Sequence, residues 1–394
     1  MTTDSSIGDR SAVRILADDL SGALDAAGPF ASRDGAMCVY WDVGRAGTHA
    51  GDRIALDSAS REVDIGDAIA RTRAAAHALW TDRPALAFAK IDSVWRGSPA
   101  AAIATASAAG RFDRVVVAPA FPEQGRVTRD GGQWVVEGAR LRCVVPDIAA
   151  ELRRFGLDAA TEAGASPSTD ALVCDASSSD DLAAIVERHW LVGVRTLWCG
   201  TRGLARALAD HAAGTGSATA TPAHEPAALR GPVLVVVGTD HPVSVAQAEV
   251  LERQPGIACH TVSVGARAAG ASASVVATAP AALLRFAIPA DSTREAARRT
   301  IAQALRDEVD HLPRPGTVVA TGGETVRALS EALGATRLDV FAEYEPGIPI
   351  AIWRDGCWAG TPILSKSGGF GSPDLFARVV ASATVGSRPT RNSR

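Results

Sequence analysis

The sequence predicts an α/β protein of two domains, each a mainly parallel sheet flanked by helices. Short apolar runs alternate with Ala-rich amphipathic stretches, the pattern of βαβ units around a buried parallel sheet. The 394 residues suffice for two domains of roughly 100–200 residues each. A segment without apolar periodicity, HAAGTGSATATPAHEPAALR, separates two such series. We therefore place an N-terminal domain at 1–211, a linker at 212–230 and a C-terminal domain at 231–394.

In the N-terminal series, the apolar runs predict strands and the periodic stretches between them predict helices. The predicted strands are 12–17, 37–41, 53–57, 85–91, 114–119, 171–174 and 196–199. The predicted helices are 20–32, 65–80, 99–109 and 179–190. The C-terminal series repeats the alternation, with strands at 232–238, 260–264 and 317–321 and helices at 242–252, 293–309 and 324–333.

The composition argues against some classes of function. A net charge of -4 and a pI near 6.1 do not suggest the basic surface that nucleic acid or an anionic membrane would favour. The polar start of the chain, 1–11, lacks the apolar core of a signal peptide, and no apolar run reaches the ~18 residues of a membrane span. The six cysteines form no C-x-x-C pair, so we assign no metal ligand. A cytoplasmic protein is expected.

Two adjacent acids end the first predicted strand. In ILADDLSGALD, Asp18 and Asp19 follow the apolar run, and Ser21 and Gly22 open a helix. Ligands of open α/β sheets bind at the carboxyl ends of strands. One carboxylate could accept a proton from a substrate hydroxyl, and the other could reach Mg²⁺ through water. A helix N-cap beside a solvated acid explains the same pattern, so both interpretations stay open on these residues.

A second cluster of charges ends a later strand of this half. The run FAKIDSVWRGSPAA supplies Lys90, Asp92, Ser93 and Arg96, followed by a glycine and a helix start. Such a cluster can bind a small anion, with Lys90 or Arg96 holding a carboxylate. The alternative is a surface turn with a Lys–Asp pair, which contributes little to stability. Arg61, just after another strand, could also clamp a carboxylate or be an ordinary exposed arginine.

A third strand end, in VVVAPAFPEQGRVTRDG, leads into a Pro-containing loop. The prolines make this loop stiff, which suits the wall of a binding site or a rigid structural connection.

Three glycine-containing turns follow strands of the C-terminal series: VVVGTDHPVSVAQ, VVATGGETVRAL and ILSKSGGFGSPDLF. Glycines permit the positive φ and close backbone approach that a phosphate nest requires. Tight strand-to-helix turns favour glycine too. The chain contains neither G-x-x-x-x-G-K-[ST] nor G-x-G-x-x-G, so neither the P-loop nor the dinucleotide fingerprint applies. Three strand-end turns in one half still indicate a nucleotide.

These segments together resemble the four-carbon acid sugar kinase family. The matching stretches are ADDLSGALD at 17–25, KIDSVWRG at 90–97, PAFPEQGR at 119–126, GGET at 322–325 and KSGGFG at 366–371, and the Ser60-Arg61 pair also fits. The chain has Ser93-Val94-Trp95 where the family usually shows S-T-L. It has Val237-Gly238-Thr239-Asp240-His241 where the family usually shows S-G-S-x-S.

The resemblance implies two α/β domains with the active site between them. The N-terminal domain would bind the sugar acid and the C-terminal domain would bind ATP. The expected reaction is phosphorylation of the terminal hydroxyl of threonate, erythronate or 3-oxo-tetronate, with Mg²⁺ held mainly by the nucleotide phosphates. The expected partners are the sugar acid and ATP, without nucleic acid or membrane, and a homo-oligomer is left open.

By matching motif, the resemblance also assigns site residues. Those facing the sugar acid are Asp18, Asp19, Arg61, Lys90, Ile91, Asp92 and Ser93, to which the charge cluster adds Arg96. Those facing ATP are Thr239, His241, Gly322, Gly323, Glu324, Thr325, Ser367, Gly368 and Gly369. We expect Asp19, or otherwise Asp18, to orient and deprotonate the hydroxyl, and Lys90, Arg61 and Arg96 to fix the carboxylate.

Two other functions remain as alternatives at this point. One is an NAD-dependent oxidoreductase or isomerase of a related hydroxy-acid, which the missing dinucleotide fingerprint disfavours. The other is a non-catalytic sugar-acid sensor on a two-lobed fold, which the acid pair and the three glycine turns disfavour.

Overall fold

The computed structural model of the chain describes residues 12–49, 51–81, 84–215, 229–263, 279–288 and 291–385. The chain divides into two units, Met1–Thr221 and Pro222–Arg394. The division falls inside the segment 212–230 that the sequence suggests as a linker. Residues 212–215 of that segment are helical, and its part 216–228 lies outside the described residues.

The N-terminal unit alternates strands and helices along most of its length. Its strands are β1 (Val13–Ala17), β2 (Met37–Tyr40), β3 (Arg53–Asp57), β4 (Leu86–Lys90), β5 (Arg114–Ala118), β6 (Arg126–Arg129), β7 (Gly132–Glu137), β8 (Arg140–Val145), β9 (Ala159–Thr161), β10 (Ala171–Val173) and β11 (Thr196–Gly200). Its helices are α1 (Leu20–Asp34), α2 (Val43–Gly47), α3 (Ile65–Leu79), α4 (Pro99–Gly110), α5 (Ile148–Arg153), α6 (Ser179–His189) and α7 (Arg202–Thr215).

The main sheet of this unit has the strand order β2-β3-β1-β4-β11-β5-β10-β9, and its neighbouring strands run parallel. Every residue of β1 and of β4 is buried, as expected for strands covered on both faces. The fold prediction for this half is therefore confirmed.

The order of the central strands determines which loops meet. The chain goes from β1 to β2 and β3 on one side of β1 and then returns to β4 on its other side. In register, Ala17 of β1 lies opposite Asp57 of β3 and opposite Lys90 of β4. The loops after β1, β3 and β4 thus leave the carboxyl edge of the sheet side by side, at the switch point where open α/β sheets bind ligands.

A three-stranded antiparallel sheet, β6-β7-β8, interrupts the alternation after β5. The sequence did not reveal it, because β8 is largely exposed and carries arginines where an apolar pattern would have been recognised. The sheet begins at the Pro-containing loop that follows β5.

The C-terminal unit forms a second sheet with helices. Its strands are β12 (Val233–Val237), β13 (Ile257–Ser263), β14 (Ala281–Ala287), β15 (Thr317–Thr321), β16 (Arg337–Glu345), β17 (Ile348–Trp353) and β18 (Pro362–Lys366). Its helices are α8 (Pro242–Glu252), α9 (Arg294–Val309), α10 (Gly323–Ala332) and α11 (Leu375–Val385).

Strands of this second sheet follow the order β13-β14-β12-β15-β18-β17-β16. The first five run parallel, and β17 is antiparallel to both of its neighbours. The sheet is therefore mainly parallel, as predicted, and the loops after β12, β15 and β18 leave its carboxyl edge as neighbours. None of the helices that the structure describes is long and apolar enough to cross a membrane.

Candidate functional site

The acid pair lies at the end of β1, where the sequence places it. Asp19 is the N-cap of α1: its carboxylate accepts hydrogen bonds from the Gly22 N–H at 2.8 Å and from the Ser21 hydroxyl at 2.6 Å. A Cβ on Gly22 would come within 2.6 Å of an Asp19 oxygen and 3.3 Å of the Lys90 Nζ, so the close packing here requires glycine. The capping interpretation of Asp19 is correct, and it leaves Asp18 to be explained.

Arg61, from the loop after β3, binds both acids. Its Nε and Nη2 donate to the two oxygens of Asp18 at 2.9 and 2.6 Å, and its Nη1 lies 2.6 Å from an oxygen of Asp19. The backbone N–H of Arg61 also donates to the Asp18 carbonyl at 3.1 Å. The Arg61 side chain is only 9% exposed. Much of its hydrogen-bonding capacity is therefore used within the protein.

The two carboxylates differ in their affinity for a proton. Burial raises the pKa of Asp18, and the neighbouring Asp19 charge adds to this, although Arg61 opposes it. Burial also disfavours the charge of Asp19, but Arg61, Lys90 and the hydrogen bonds from Ser21 and Gly22 outweigh burial and lower its pKa. Environment thus separates the pair into a more basic and a more acidic member, as in other carboxylate pairs.

The loop after β4 brings further charges to the same edge. Lys90 is buried, and its ammonium donates to the Ile91 carbonyl at 3.1 Å without forming an ion pair with any residue that the structure describes. Asp92 accepts from Arg96 at 3.0 and 2.5 Å and lies 3.8 Å from Arg61. Burial would raise the pKa of Asp92, but Arg96 and Arg61 lower it to about 2.

The other two predicted residues of this loop serve mainly through their backbone. Ile91 is buried, and its N–H donates to the Gly200 carbonyl at 2.9 Å. The Ser93 carbonyl accepts from the side chain of Gln133 on β7 at 3.0 Å. The structure thus brings all the predicted acid-sugar residues to one edge of one sheet.

In the C-terminal unit, the three glycine turns also converge. A Cβ on Gly368 would lie 2.9 Å from the Cβ of His241 and 3.4 Å from the Thr239 hydroxyl, and a Cβ on Gly369 would lie 3.2 Å from the His241 ring. A Cβ on Gly238 would collide with the Thr325 hydroxyl. The glycines of these turns are therefore packed against side chains of the neighbouring turns.

Two helices begin at these turns. His241 is the N-cap of α8, and its Nδ1 accepts from the Val243 N–H at 3.3 Å. Gly322, at φ 87°, is the N-cap of α10 and has no side chain to cap the first turn, which begins at Gly323. Free N–H groups at a helix start attract anions. Glu324 instead points to Arg298, with an ion-pair distance of 3.3 Å.

Lys366 is the last residue of β18 and is 1% exposed. Its ammonium donates to the Ser244 hydroxyl at 2.7 Å and to the Gly368 carbonyl at 3.1 Å, and it lies 5.7 Å from the Phe376 ring centre. Lys366 thereby ties the turn after β18 to the first turns of α8. It has no carboxylate partner among the described residues, and burial lowers its pKa to about 7.

This burial predicts a dependence of stability on pH. Since the pKa of Lys366 is about 7 when folded and near 10.5 when unfolded, the unfolded chain binds more protons between these values, so the lysine destabilises the fold less as pH rises. Between pH 7 and pH 9 we expect the unfolding free energy of the protein to rise by about 2 kcal/mol relative to that of Lys366→Met. Urea unfolding of both proteins at the two pH values measures the difference. A constant difference would contradict the lowered pKa.

A separate cluster in the N-terminal unit has the residue types of a metal site. Ligand atoms of Glu162, Cys174 and His189 lie within 4.8 Å of one another. Glu162 already accepts from Arg188 at 2.7 Å and from His189 at 2.6 Å, and burial raises the pKa of the Cys174 thiol. The cluster is thus a hydrogen-bond network within the protein, in which Glu162 forms an ion pair with Arg188.

Sequence reasoning did not assign a role to Lys366 or to Arg126. A compositional signal for the first was available: Lys90 and Lys366 are the only lysines of the chain, which otherwise uses arginine. Both stand at the carboxyl end of a buried strand. A compact ammonium can be buried in such a place and neutralised more easily than a guanidinium.

Comparison with known proteins adds an independent finding. A family model described as a sugar-binding N-terminal domain matches residues 13–151, and one described as a nucleotide-binding C-terminal domain matches residues 234–376. The division agrees with the two clusters of loops described above.

Relatives match over nearly the whole chain. A D-threonate kinase of Cupriavidus necator is 32% identical over 410 residues, which cover 91% of this chain and 94% of that protein. A 3-oxo-tetronate kinase of Methylobacterium radiotolerans is 28% identical and is covered to 98%, with 94% of this chain matched. A solved Salmonella typhimurium protein described as a putative tRNA synthase matches with a TM-score of 0.71 at 18% identity, covering 93% of this chain and 98% of its own. That last likeness supports the fold alone.

Proposed function

The chain belongs to the four-carbon acid sugar kinase family, and on that basis we propose that it transfers the γ-phosphoryl group of ATP to the terminal hydroxyl of a four-carbon sugar acid. D-threonate is the first candidate, because the relative that is 32% identical is a D-threonate kinase. Erythronate and 3-oxo-tetronate are the next candidates.

One observation carries this proposal. A carboxylate pair held by a buried arginine lies beside a buried lysine that has no ion-pair partner among the described residues, at the carboxyl ends of adjacent strands. A carboxylate can take a proton from a hydroxyl, and an ammonium can bind an anionic substrate. Phosphoryl transfer requires little else from the protein than positioning and electrostatic stabilisation.

Within the pair, we assign the base to Asp18. Its pKa is raised by burial, which favours uptake of a proton, whereas that of Asp19 is lowered. Asp19 also accepts from Ser21, Gly22 and Arg61, while the hydrogen bonds to Asp18 come from Arg61 alone among the side chains described. A carboxylate has about four acceptor sites, so Asp18 has more room for a hydroxyl. This reverses the preference for Asp19 drawn from the sequence, and that residue becomes the N-cap that fixes the start of α1.

In the proposed reaction, the substrate hydroxyl oxygen forms a bond to the γ-phosphorus as the bond to the β,γ-bridging oxygen breaks. The hydroxyl proton passes to Asp18, and ADP leaves with the bridging oxygen. Lys90 neutralises negative charge at the acceptor side. Turns at Thr239, Gly322 and Ser367–Gly369 would hold the phosphates through backbone N–H groups.

Mg²⁺ would accompany ATP as part of the nucleotide substrate. The three turns offer hydroxyls and backbone groups, and Glu324 is paired with Arg298, so the phosphates themselves would supply most of the ligands. When bound, the ion neutralises charge that develops on the phosphoryl oxygens.

An ADP-release assay tests the proposed function. The substrates are D- and L-threonate, D- and L-erythronate and 3-oxo-tetronate, each with MgATP. We expect ADP release with at least one of them and a phosphate ester at its terminal hydroxyl by ³¹P NMR. The alternatives, an NAD-dependent oxidoreductase or isomerase and a sugar-acid sensor, predict no ADP release with any of the five acids, and that result would reject the kinase proposal.

The nucleotide assignment predicts the effect of a side chain at Gly369. Gly369→Val places a branched side chain 3.2 Å or less from the His241 ring and in the path of a phosphate, so we expect the Kd for MgATP to rise at least about tenfold, which is 1.4 kcal/mol. Isothermal titration with a non-hydrolysable ATP analogue measures it.

Two variants serve as comparisons for this change. Gly214→Ala, on α7, places a new Cβ that meets nothing within 4 Å beyond its chain neighbours and its own helix backbone, and should leave the nucleotide Kd unchanged. Gly369→Val with His241→Ala removes the contact with the ring while keeping the obstacle to a phosphate. Binding of MgATP to this double variant should stay weak. Normal affinity in Gly369→Val would contradict the assignment of this turn to ATP.

A further inference from the structure

The loops that hold the acid pair and the neighbouring charges contain one cation more than they contain carboxylates. Three side-chain nitrogens of Arg61 contact Asp18 and Asp19, and Arg96 donates hydrogen bonds to Asp92. The sequence had assigned both to the substrate carboxylate. With both arginines engaged, Lys90 is the cation of these two loops without an ion pair among the described residues, and a second cation for the substrate carboxylate comes from another element.

That element is the antiparallel sheet β6-β7-β8, which lies against the loop after β4. On β7, Gln133 is fully buried, and its side-chain amide donates to the Ser93 carbonyl at 3.0 Å and to the Pro119 carbonyl at 3.1 Å. The amide thus joins the loop after β4 to the end of β5. Thr128 on β6 holds the same side chain by donating to its oxygen at 2.9 Å.

Arg126 is on the face of this sheet that meets the loop. It lies opposite Val135 in the β6–β7 register, and Val135 is two residues from Gln133, so the three side chains share a face. Arg142 of β8 lies opposite Val135 from the other side. The charges of Asp92, Arg96 and Arg142 each influence the pKa of Arg126.

Arg126 has no carboxylate partner among the described residues. It is half-buried, its Nε is buried without a hydrogen-bond partner in the described part of the chain, and its Nη1 donates to the Gln124 backbone and side-chain oxygens. Burial lowers its pKa, Arg96 and Arg142 lower it further, and Asp92 only partly compensates. A half-buried guanidinium without a carboxylate is costly, and an anion in the site would remove that cost.

The balance of charges around Arg126 indicates the net charge of the anion that would bind there. Arg142 is paired with Glu137 at 2.7 Å and does not enter the count. Three carboxylates then face four cations, namely Asp18, Asp19 and Asp92 against Arg61, Lys90, Arg96 and Arg126. The site is short of a single negative charge, which is the charge of one carboxylate.

From this geometry we infer that Arg126 binds the carboxylate of the sugar acid and sets the preference for acids over uncharged polyols. The inference rests on the proposed function and names the residue that recognises its substrate class. Its position is fixed by two bonds between the backbones of Phe121 and Arg126, at 2.8 and 3.0 Å, and by the left-handed Gly125 before it, at φ 67°. The rigid Pro-containing loop therefore aims the guanidinium.

Arg126→Gln tests the inference, with Arg129→Gln on the same strand as the matched control, since Arg129 is exposed. We expect kcat/KM for the preferred acid to fall roughly tenfold to a hundredfold in Arg126→Gln, the loss of one or two charge-assisted hydrogen bonds. The KM for ATP and the kcat/KM for the matching four-carbon tetrol should stay unchanged. The kcat/KM for the acid divided by that for the tetrol should therefore fall. An unchanged ratio, or an equal fall with both substrates, would overturn the inference.

A binding measurement separates this test from the proposed function. Calorimetric titration of each protein with the acid alone should show a Kd at least about tenfold weaker in Arg126→Gln and unaltered in Arg129→Gln. Arg126→Lys, which keeps the charge but not the fork, should lie between them. If the unaltered protein binds the acid yet releases no ADP, the kinase proposal fails while Arg126 is still tested. If Arg126→Gln binds the acid normally, the inference fails while the kinase proposal stands.

Discussion

Asp18→Asn should lower kcat by about 10²–10⁴, the usual contribution of a positioned general base, while leaving the Kd for ATP almost unchanged. The substitution keeps the size of the side chain and one oxygen for Arg61 but removes the ability to take a proton. Burial raises the pKa of Asp18, so in the unaltered enzyme the rate should fall as pH is lowered through that pKa. Asp18→Asn should lose this acid limb. Steady-state rates at saturating ATP across pH measure both effects.

Two further variants make the assignment decisive. Asp19→Asn removes the second charge but can still cap α1, because an amide oxygen can accept from Gly22, so its acid limb should persist. Asp147→Asn, the exposed N-cap of α5 that accepts from Ala150 at 2.8 Å, controls for a capping change alone and should leave kcat unaffected. If Asp18→Asn turns over normally and Asp19→Asn does not, the base is Asp19, as the sequence had suggested.

Much of the fold was predictable because each element leaves a local signal. The apolar run 317–321 and the helix 242–252 occur in the structure with the predicted bounds, and most other predicted elements shift by one to three residues at their ends. The start of β13 also differs from its predicted position, since the strand begins at Ile257 rather than at His260. The sheet β6-β7-β8 was missed because its outer strand β8 is largely exposed and carries two arginines, so it lacks the continuous apolar run that identified the buried strands.

For the site, the sequence could identify the residues but not their partners. Asp18 and Arg61 are 43 positions apart, and their contact depends on β3 being the neighbour of β1, which no local pattern encodes. The same strand order places Arg61, a predicted substrate clamp, beside the acid pair as its counter-ion. The role of Arg126 could not be recognised for a related reason, because this residue belongs to the sheet β6-β7-β8 that the sequence did not reveal. Local chemistry is therefore readable from sequence, whereas charge pairing depends on strand order.

Arg61→Met should be among the most destabilising single changes in this chain. It removes the cation that Asp18 and Asp19 share and leaves two carboxylates, 12% and 18% exposed, next to each other, with Asp92 close by. Breaking a buried ion pair by removing one partner costs about 3–5 kcal/mol. Urea unfolding at pH 8 measures this loss. Arg71→Met serves as the control, because Arg71 is exposed and, in the described part of the chain, donates only to the Ala59 carbonyl.

The pH dependence of this loss identifies its cause. Without Arg61, the folded-state pKa of Asp18 should rise further and that of Asp19 should rise above its value in the unfolded chain, so the penalty is greatest when both are ionised and shrinks as pH falls from 8 towards 5. Removing one of the charges should have the same effect: Arg61→Met with Asp18→Asn should be more stable at pH 8 than Arg61→Met alone. If the loss were instead independent of pH and unrelieved by Asp18→Asn, missing packing of the arginine stem would explain it. Arg61 would then not be the residue that holds the acid pair ionised for catalysis.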